Sequence, residues 1–396
     1  MILISTGCNS VDLMCGAVRD DLARCGLPVE SLDCARVDYA TLSALQARMD
    51  HGVCEPVSDD NAVDPRLCAL AGWACPESPI PATGSATTLH PLVFVGGIDD
   101  SAVFDWNANI LAAVRDAGGE AHHVSVAPWQ PTAERTADLA ASLVALHRSL
   151  PGRKLNLVCY AVAGLDCRYL VSPAGLYAND APSRAKMLEL IASITTISTP
   201  HRGTRVADAA ILALQTSTVT DVLTTFLGVV APDTIPDDAT LIRTLRGLTV
   251  DALADFNLRI VDEPRIPLQS FAGISTPSGR LRDADKVAIA AGCVDTDGRP
   301  VFFTHPDSVD ALNPLLLVAA PFSHTARDSR DLVVTTPSDG MIALASARWG
   351  QFRGCLGADH YDVIGQIGNR TRDPLTGFDA RSFYIWLAAD LAARGL

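Results

Sequence analysis

Positive charge and long apolar runs are both scarce in this sequence. It has 31 Lys and Arg against 45 Asp and Glu, a formal net charge of −14 over 396 residues. A surface with that charge repels nucleic acid, so we expect no nucleic-acid partner. The apolar run that comes closest to a membrane span, residues 315–320, follows Asn313-Pro314 and is far too short to cross a bilayer. We therefore expect no transmembrane segment.

The sequence also lacks the Cys-x-x-Cys spacing that is typical of zinc sites. Its eleven cysteines are crowded near the start, at positions 8, 15, 25, 34, 54, 68 and 75, with the rest at 159, 167, 293 and 355. This crowding indicates disulfides and therefore a secreted or periplasmic protein. The alternative is that the cysteines are small apolar side chains with free thiols in a reducing cell. Residues 1–4 are apolar but too short and without basic residues for a signal peptide, so a leader is either already removed or absent.

The chain divides into a short segment and one large domain. Residues 1–75 show only weak helical patterns, such as Leu42, Leu45 and Met49, and a linker rich in proline follows. We assign 1–85 as a Cys-rich N-terminal segment with its linker, of unknown role. A hydrophobic content of 48% allows the remaining 86–396 to bury a single large core.

Apolar runs alternate with amphipathic segments through this domain. Strands are predicted at 91–95, 122–127, 155–160, 194–198 and 332–336. Helices are predicted at 104–117, 135–150 and 381–396. This alternation favours an α/β fold with a mostly parallel central sheet flanked by helices.

Residues 155–170 predict a strand, a sharp turn and a helix in direct succession. This is the setting of a nucleophile elbow, in which a strained turn presents the middle residue above the sheet. The middle residue here is Ala161, which has no oxygen with which to attack. Cys159 lies on the strand side and Cys167 more than one helical turn further on, so neither is expected to replace the missing nucleophile.

An acid and a histidine follow in the order that such a fold uses. Asp339-Gly340 comes just after the predicted strand at 332–336, and His360 lies 21 residues beyond Asp339. Asp-Gly is a common turn and a lone histidine is usually structural. The two together, after an elbow, indicate a catalytic pair.

Several short segments resemble the secreted bacterial true lipases, the Pseudomonas lipase family of α/β-hydrolases. They are Gly96-Gly97-Ile98, the elbow with Gly164-Leu165-Asp166, Thr199-Pro200-His201-Arg202-Gly203, Pro267–Gly273, Ala311–Leu316, Asp339-Gly340 and His360-x-Asp362. The departures are Ala161 for the family's serine, Cys159 and Ala163 for glycine, Tyr160 and Gly96 for histidine, and Asn313 for aspartate. Of these, Ala161 alone removes the chemistry.

The resemblance implies ester hydrolysis by a Ser-His-Asp triad that needs no cofactor. A serine at the position of Ala161 would attack the carbonyl, His360 would take and return its proton, and Asp339 would hold the imidazole. The N–H groups of Ile98 and Val162 would bind the oxyanion. His201 is not expected to act as a base. The chain as given is expected to be catalytically inactive.

The resemblance also implies a helical lid at about 206–262 and a structural calcium site. Apolar residues crowd the lid stretch: Ile211, Leu212, Leu214, Val222, Leu223, Phe226, Leu227, Val229 and Val230. They favour a hydrophobic ester at a lipid or polymer surface, and helices that are simply buried are the alternative. Calcium would be held at Asp362 and Gln366, with Asn313 in place of a charged ligand, which weakens the site.

Two hypotheses account for Ala161. In the first, serine was replaced by alanine so that substrate is held unreacted. In the second, the protein is a natural pseudoenzyme that binds an apolar ester or a partner protein. The retention of Asp339, His360 and the turn Gly96-Gly97-Ile98, the oxyanion turn, favours the first. If the serine form is an enzyme, a triacylglycerol lipase competes with an esterase or polyester depolymerase on the same scaffold.

Overall fold

The structure is a computed structural model that describes residues 85–99, 105–218, 222, 237–279, 281–299, 301–303, 309–327, 333–366, 376 and 378–396, together with Cys15, Val18 and Arg19. The predicted N-terminal segment and its linker therefore lie almost entirely outside the described residues. The division of the chain at residue 85 stays a prediction.

Seven parallel strands form the central sheet, in the order β2-β1-β3-β4-β5-β11-β7. In chain order the strands are β1 (Leu92–Val95), β2 (Ala121–Val124), β3 (Leu155–Tyr160), β4 (Ile191–Ile197), β5 (Leu268–Gly273), β6 (Ser275–Thr276), β7 (Phe302–Phe303), β8 (Asp310–Ala311), β9 (Thr325–Arg327), β10 (Val333–Thr335) and β11 (Gln351–Leu356). Every residue of β1, β3 and β4 is buried, as expected for a parallel sheet covered on both faces. The predicted α/β-hydrolase class, with a mostly parallel sheet, is confirmed.

Helices cover both faces of the sheet. They are α1 (Ala108–Asp116), α2 (Thr132–Arg148), α3 (Ala163–Val171), α4 (Ala181–Leu190), α5 (Arg205–Ala213), α6 (Asp238–Gly247), α7 (Val250–Arg259), α8 (Asp283–Gly292), α9 (Ala320–Ser323), α10 (Leu344–Ala347) and α11 (Ala380–Ala393). Phe94 packs with α1 and α11 in one cluster, and its neighbour Val93 packs with α2, α3 and α4 in another. The alternation of side chains along β1 thus serves two cores. None of the helices in the described ranges is both long and apolar enough to cross a bilayer.

Local sequence explains where several helices begin. The side chain of Asp379 accepts hydrogen bonds from the first backbone N–H groups of α11, and Thr204 and Asn107 do the same for α5 and α1. Helix α2 begins at Thr132, directly after Pro131, whereas the leucine spacing predicts a start at 135. The first turn of α2 is polar, so it adds nothing to the apolar pattern from which the prediction was made.

The strand before Asp339 lies outside the central sheet. Strand β10 pairs antiparallel with β9 in a separate two-stranded ribbon. The place beside β5 in the main sheet is taken by β11, which the sequence analysis does not single out. Strand β11 has a register irregularity at Arg353, between Phe352 and Gly354, which interrupts the apolar pattern that would have indicated a strand.

Two disulfides lie in the described part of the domain. Cys293, at the end of α8, is bonded to Cys355 in β11, 62 positions further along the chain. Cys159 in β3 is bonded to Cys167 in α3, so this bridge spans the elbow. All four side chains are fully buried. Disulfides were predicted, but the sequence left their pairing open.

Replacing both Cys293 and Cys355 by alanine is expected to lower the free energy of unfolding by about 2–4 kcal/mol, because the unfolded chain regains the freedom of a long closed loop. Urea denaturation of the parent and of the double variant measures the change. Val287→Ala is the control, since Val287 is 70% exposed on the same helix. A loss no larger than that of the control would contradict a stabilising role for this bridge.

Candidate active site

The elbow brings the chain through an unfavourable backbone conformation at residue 161. Strand β3 ends at Tyr160, α3 begins at Ala163, and Ala161 has a φ of 49°. A residue other than glycine with a positive φ typically costs about 1–3 kcal/mol of strain, which the surrounding structure must offset. The N–H of Ala161 donates to the carbonyl of Ile197 at 2.9 Å. A Cβ on Gly164 would lie 2.1 Å from Thr199 Oγ1, so only glycine allows this approach of α3 to the loop after β4.

Asp339 and His360 are hydrogen-bonded to each other. His360 Nδ1 lies 2.8 Å from Asp339 Oδ2, and the His360 backbone N–H donates to the Asp339 carbonyl at 2.8 Å. The other carboxylate oxygen of Asp339 accepts the N–H groups of Met341 and Ile342 at 2.9 and 2.7 Å. The carboxylate is therefore held by three hydrogen bonds, and the backbone carbonyl of the same residue accepts a fourth. The carboxylate fixes the imidazole so that Nε2, on the opposite side of the ring, is available to the cavity that His360 lines.

Tyr160 supports the histidine from the strand side. Its hydroxyl donates to the carbonyl oxygen of His360 at 2.8 Å, and the two rings lie 5.0 Å apart. Burial raises the pKa of Tyr160 well above its usual value, so the side chain stays a neutral hydrogen-bond donor. From the sequence, Tyr160 is expected only to replace the family's histidine without disturbing the elbow. Its contact with the His360 loop connects two segments 200 residues apart.

A small apolar cavity of about 60 Å³ joins these parts. Its lining comes from the oxyanion turn, the elbow, the lid stretch and the acid and histidine loops: Ile98, Ala161, Val162, Pro200, Thr204, Val206, Ala207, Ala210, Val222, Leu245, Leu248, Met341, Ile342 and His360. Positions 161 and 360 thus face one space, with Asp339 behind the imidazole. The structure brings the predicted residues together, and their catalytic roles stay predictions.

The two predicted oxyanion donors also face this cavity. Among the hydrogen bonds of the described residues, none has the backbone N–H of Ile98 or of Val162 as its donor. The carbonyl of Ile98 accepts the N–H of Trp129 at 2.8 Å, which fixes the orientation of the turn. Both residues thus line the cavity, and their N–H groups have no acceptor among the described residues.

Arg135 ties the oxyanion turn to the elbow helix. It is 2% exposed, and its guanidinium donates to the carbonyl of Gly97 at 2.6 Å and to Asp166 Oδ2 at 2.8 Å. Burial raises the pKa of Asp166 to about 6, and the charge of Arg135 opposes that shift. Sequence reasoning missed Arg135. The available signal was its place four residues before Leu139, on the apolar face of α2.

His201 lies away from the cavity lining and is part of a separate buried network. Its ring lies between Thr196 Oγ1 at 3.0 Å and Arg168 Nη1 at 3.4 Å, and it stacks on Trp349. Burial, followed by the charges of Arg168 and Arg202, holds the pKa of His201 well below its usual value. A neutral imidazole with these partners shapes the loop and is not placed to take a proton from substrate.

The lid stretch covers the cavity through two of its helices. Val206, Ala207 and Ala210 of α5 and Leu245 of α6 line the cavity. Val222, the only lid residue described between 219 and 236, lines it as well. The predicted lid residues Leu223, Phe226, Leu227, Val229 and Val230 lie outside the described residues.

Three buried carboxylates lie close together beside the histidine loop. Ligand atoms of Asp310, Asp359 and Asp362 all fall within 4.8 Å of one another. Burial raises the pKa of Asp359 to about 6, although N–H groups of Asn313, Asp362 and Tyr361 oppose the shift. Of the predicted calcium ligands, Asp362 belongs to this group.

The other two predicted calcium positions are Asn313 and Gln366, and at Gln366 the predicted ligand is the backbone carbonyl. The side chains of both residues make other contacts. Asn313 Oδ1 accepts the N–H of Leu315, and the backbone N–H of Asn313 donates to Asp359 at 2.6 Å. The Gln366 amide donates to the carbonyl of Asp105. Sequence reasoning missed Asp310 and Asp359, because only the fold brings their segments together.

We expect His201 to lower the stability of the protein as the pH drops below about 6.5, by about 1.4 kcal/mol per pH unit for its one proton. Below that pH the unfolded chain protonates His201 while the folded state does not. His201→Gln should remove one proton from this slope between pH 6.5 and 5. Burial also lowers the pKa values of His90 and His324, which add to the slope, whereas the raised pKa values of Asp166 and Asp359 oppose it below about pH 6. Urea midpoints across this range test the prediction, and a slope in His201→Gln equal to that of the control His122→Gln would contradict it.

No model of a known protein family matches the chain. In sequence it is similar to proteins named triacylglycerol lipase. It is 25% identical over 252 residues to triacylglycerol lipase 2 of Saccharomyces cerevisiae, covering 61% of this chain and 58% of that protein. It is 26% identical over 207 residues to a triacylglycerol lipase of Burkholderia plantarii, covering 48% and 54%. The chain thus spans little more than half the length of these relatives.

Solved structures with a similar fold include a lipase and a carboxyl esterase. The Staphylococcus hyicus lipase has a TM-score of 0.46 at 16% identity, covering 79% of this chain and 98% of that one. A metagenomic carboxyl esterase has a TM-score of 0.49 at 13% identity, covering 90% and 91%. The sequence similarities support a relationship to the lipases.

Proposed function

We propose that this chain has the scaffold of a carboxylic ester hydrolase of the lipase kind, related to the Pseudomonas lipase family and active when residue 161 is serine. The observation that carries the proposal is the hydrogen bond between His360 and Asp339 beside the apolar cavity that the elbow residue Ala161 also lines. The similarity to proteins named triacylglycerol lipase supports the same reaction class.

The proposed mechanism applies to the form with serine at position 161. The serine hydroxyl would attack the ester carbonyl while His360 Nε2 takes its proton, and the imidazolium would be stabilised by Asp339. The negative charge would develop on an oxygen next to the N–H groups of Ile98 and Val162. His360 would then return the proton to the leaving alcohol, and a water would release the acid in the second half of the reaction.

With alanine at position 161 the covalent step cannot occur, but the rest of the site is retained. We interpret Ala161 as a replacement of serine that prevents the acyl-enzyme from forming. The pseudoenzyme is the second candidate, and Ala161 itself is the observation in its favour. Asp339 with its hydrogen bonds, His360 and the two N–H donors are of no use to a protein that only binds, which favours the enzyme.

The substrate is proposed to be a hydrophobic ester. The cavity lining is apolar apart from the catalytic groups and Thr204, whose hydroxyl donates to the carbonyl of Met341, and α5 and α6 cover it as a lid would. A triacylglycerol, a simpler ester and a polyester all have suitable chemistry, at a lipid or polymer surface. The buried disulfides are typical of a secreted or periplasmic protein, which is the location we propose.

We also propose a structural calcium site at Asp310, Asp359 and Asp362. Buried carboxylates in a group of three repel one another, and oxygen ligands of this kind suit a hard divalent cation. Asp359 and Asp362 flank the histidine loop on either side of His360 and Tyr361. A cation there would stabilise the loop that carries the catalytic imidazole, with no part in bond making.

The variant Ala161→Ser is expected to hydrolyse p-nitrophenyl esters with a kcat/KM at least about 10³-fold above that of the parent chain, because the covalent route is restored. Esters of several acyl lengths should be assayed. Ala112→Ser, which makes the same change on the exposed side of α1, is the matched control and should gain nothing. A well-folded Ala161→Ser protein with no activity on any ester would favour the binding protein.

Calcium is expected to raise the melting temperature of the protein by about 5 °C when present well above its dissociation constant, and excess EGTA should reverse the effect. Asp362→Asn should reduce or abolish the response by removing one anionic ligand. Asp297→Asn, an exposed aspartate outside the group, should leave it unchanged. Scanning calorimetry with and without calcium decides the matter, and an equal response in both variants would argue against the site.

A further inference from the structure

The cavity keeps the hydrogen-bonded pair His360 and Asp339, which can accept and return a proton, although residue 161 has no hydroxyl. His360 Nδ1 is occupied by Asp339 at 2.8 Å, which leaves Nε2 as the ring nitrogen available to the cavity. We propose that the chain, with Ala161 as it stands, hydrolyses activated esters directly, using water as nucleophile and His360 as general base. This inference rests on the proposed function for the site itself, and it adds a second route that forms no acyl-enzyme.

The cavity has room for the water of this route. A water requires about 10–15 Å³ of such space and two to four polar partners. The cavity measures about 60 Å³ in this conformation, in which the lid helices line it. His360 Nε2 and the N–H groups of Ile98 and Val162 supply polar partners in an otherwise apolar lining. Alanine differs from serine by one oxygen, so a water can approach the imidazole from the side of the Ala161 methyl.

The proposed reaction balances in two steps. In the first, the water oxygen forms a bond to the ester carbonyl carbon, and His360 Nε2 accepts the proton that the water loses. The carbonyl oxygen becomes the oxyanion, held by the N–H groups of Ile98 and Val162. In the second, the carbonyl re-forms, the bond to the leaving oxygen breaks, and the proton on His360 leaves with the alcohol or phenol. Asp339 keeps the imidazole oriented and stabilises its charged form.

The substrate class follows from the size and chemistry of the cavity. An aryl ester leaves as a weakly basic phenolate and depends little on protonation of its leaving group. The small size of the cavity favours a short acyl chain, and its apolar lining from α5 and α6 favours a hydrocarbon one. p-Nitrophenyl acetate and butyrate are therefore suitable probes.

Dependence on His360 separates this route from background catalysis. A triad enzyme that has lost a member keeps a residual rate from its oxyanion donors and substrate binding, and further loss of the histidine changes that rate little. General-base catalysis contributes about 10²–10⁴-fold. In the parent chain, His360→Gln should therefore lower kcat/KM for p-nitrophenyl butyrate by about 10²-fold.

The experiment compares the parent chain, His360→Gln and the control His122→Gln, which makes the same change at a partly exposed histidine paired with Glu120. We expect the control to match the parent and His360→Gln to fall. The parent should also show no burst of p-nitrophenol and no labelling by a fluorophosphonate. A rate in His360→Gln within about threefold of the control would overturn the inference.

A second variant covers the case in which His360→Gln does not fold. Ala161→Gly removes the methyl beside the imidazole and relieves the positive φ at this position, so water gains space. We expect its kcat/KM to rise several-fold above the parent, again without a burst. A folded Ala161→Gly protein no faster than the parent would overturn the proposed route.

The outcome for Ala161→Ser distinguishes this inference from the proposed function. If Ala161→Ser is active and is labelled by the fluorophosphonate while the parent chain is silent, direct attack by water is wrong and the hydrolase assignment stands. If neither protein hydrolyses or reacts, the hydrolase assignment is overturned as well.

Discussion

One buried guanidinium sets the distance between the two halves of the site. Arg135 reaches from α2 to the carbonyl of Gly97 on the oxyanion turn and to Asp166 on the helix that follows the elbow. Removing either charge of such a buried pair typically costs about 3–5 kcal/mol, because the remaining charge is left without its partner. The two N–H groups proposed to bind the oxyanion belong to these two segments, so their separation depends on this contact.

The sequence predicted the parts of the fold and the site that are encoded locally. The elbow could be predicted because a buried strand, small residues and a helical pattern follow one another within sixteen positions, 155–170. Asp339 and His360 could be proposed as partners because their order and flanks matched a known arrangement. The parallel sheet followed from the alternation of strands and helices.

What the sequence did not predict depends on contacts between distant segments. Tyr160 contacts the carbonyl of His360, 200 positions further along the chain. Asp310 in β8 accepts a hydrogen bond from Asp359 in the histidine loop, 49 positions away. The pairing of Cys159 with Cys167 could not be derived, because many pairings are open to eleven cysteines. Strand β10 was predicted, but its place in a small antiparallel ribbon is set by its partner β9 rather than by its own residues.

The bridge between Cys159 and Cys167 has a consequence for the evolution and engineering of position 161. It closes a ring of residues around the elbow, and the packing of Gly164 on Thr199 limits the same turn from outside. The backbone direction at residue 161 is thus determined by its neighbours and not by the side chain it carries. The turn therefore holds residue 161 in one position. A thiol, a hydroxyl or a methyl group on that residue would lie at the same place beside the imidazole.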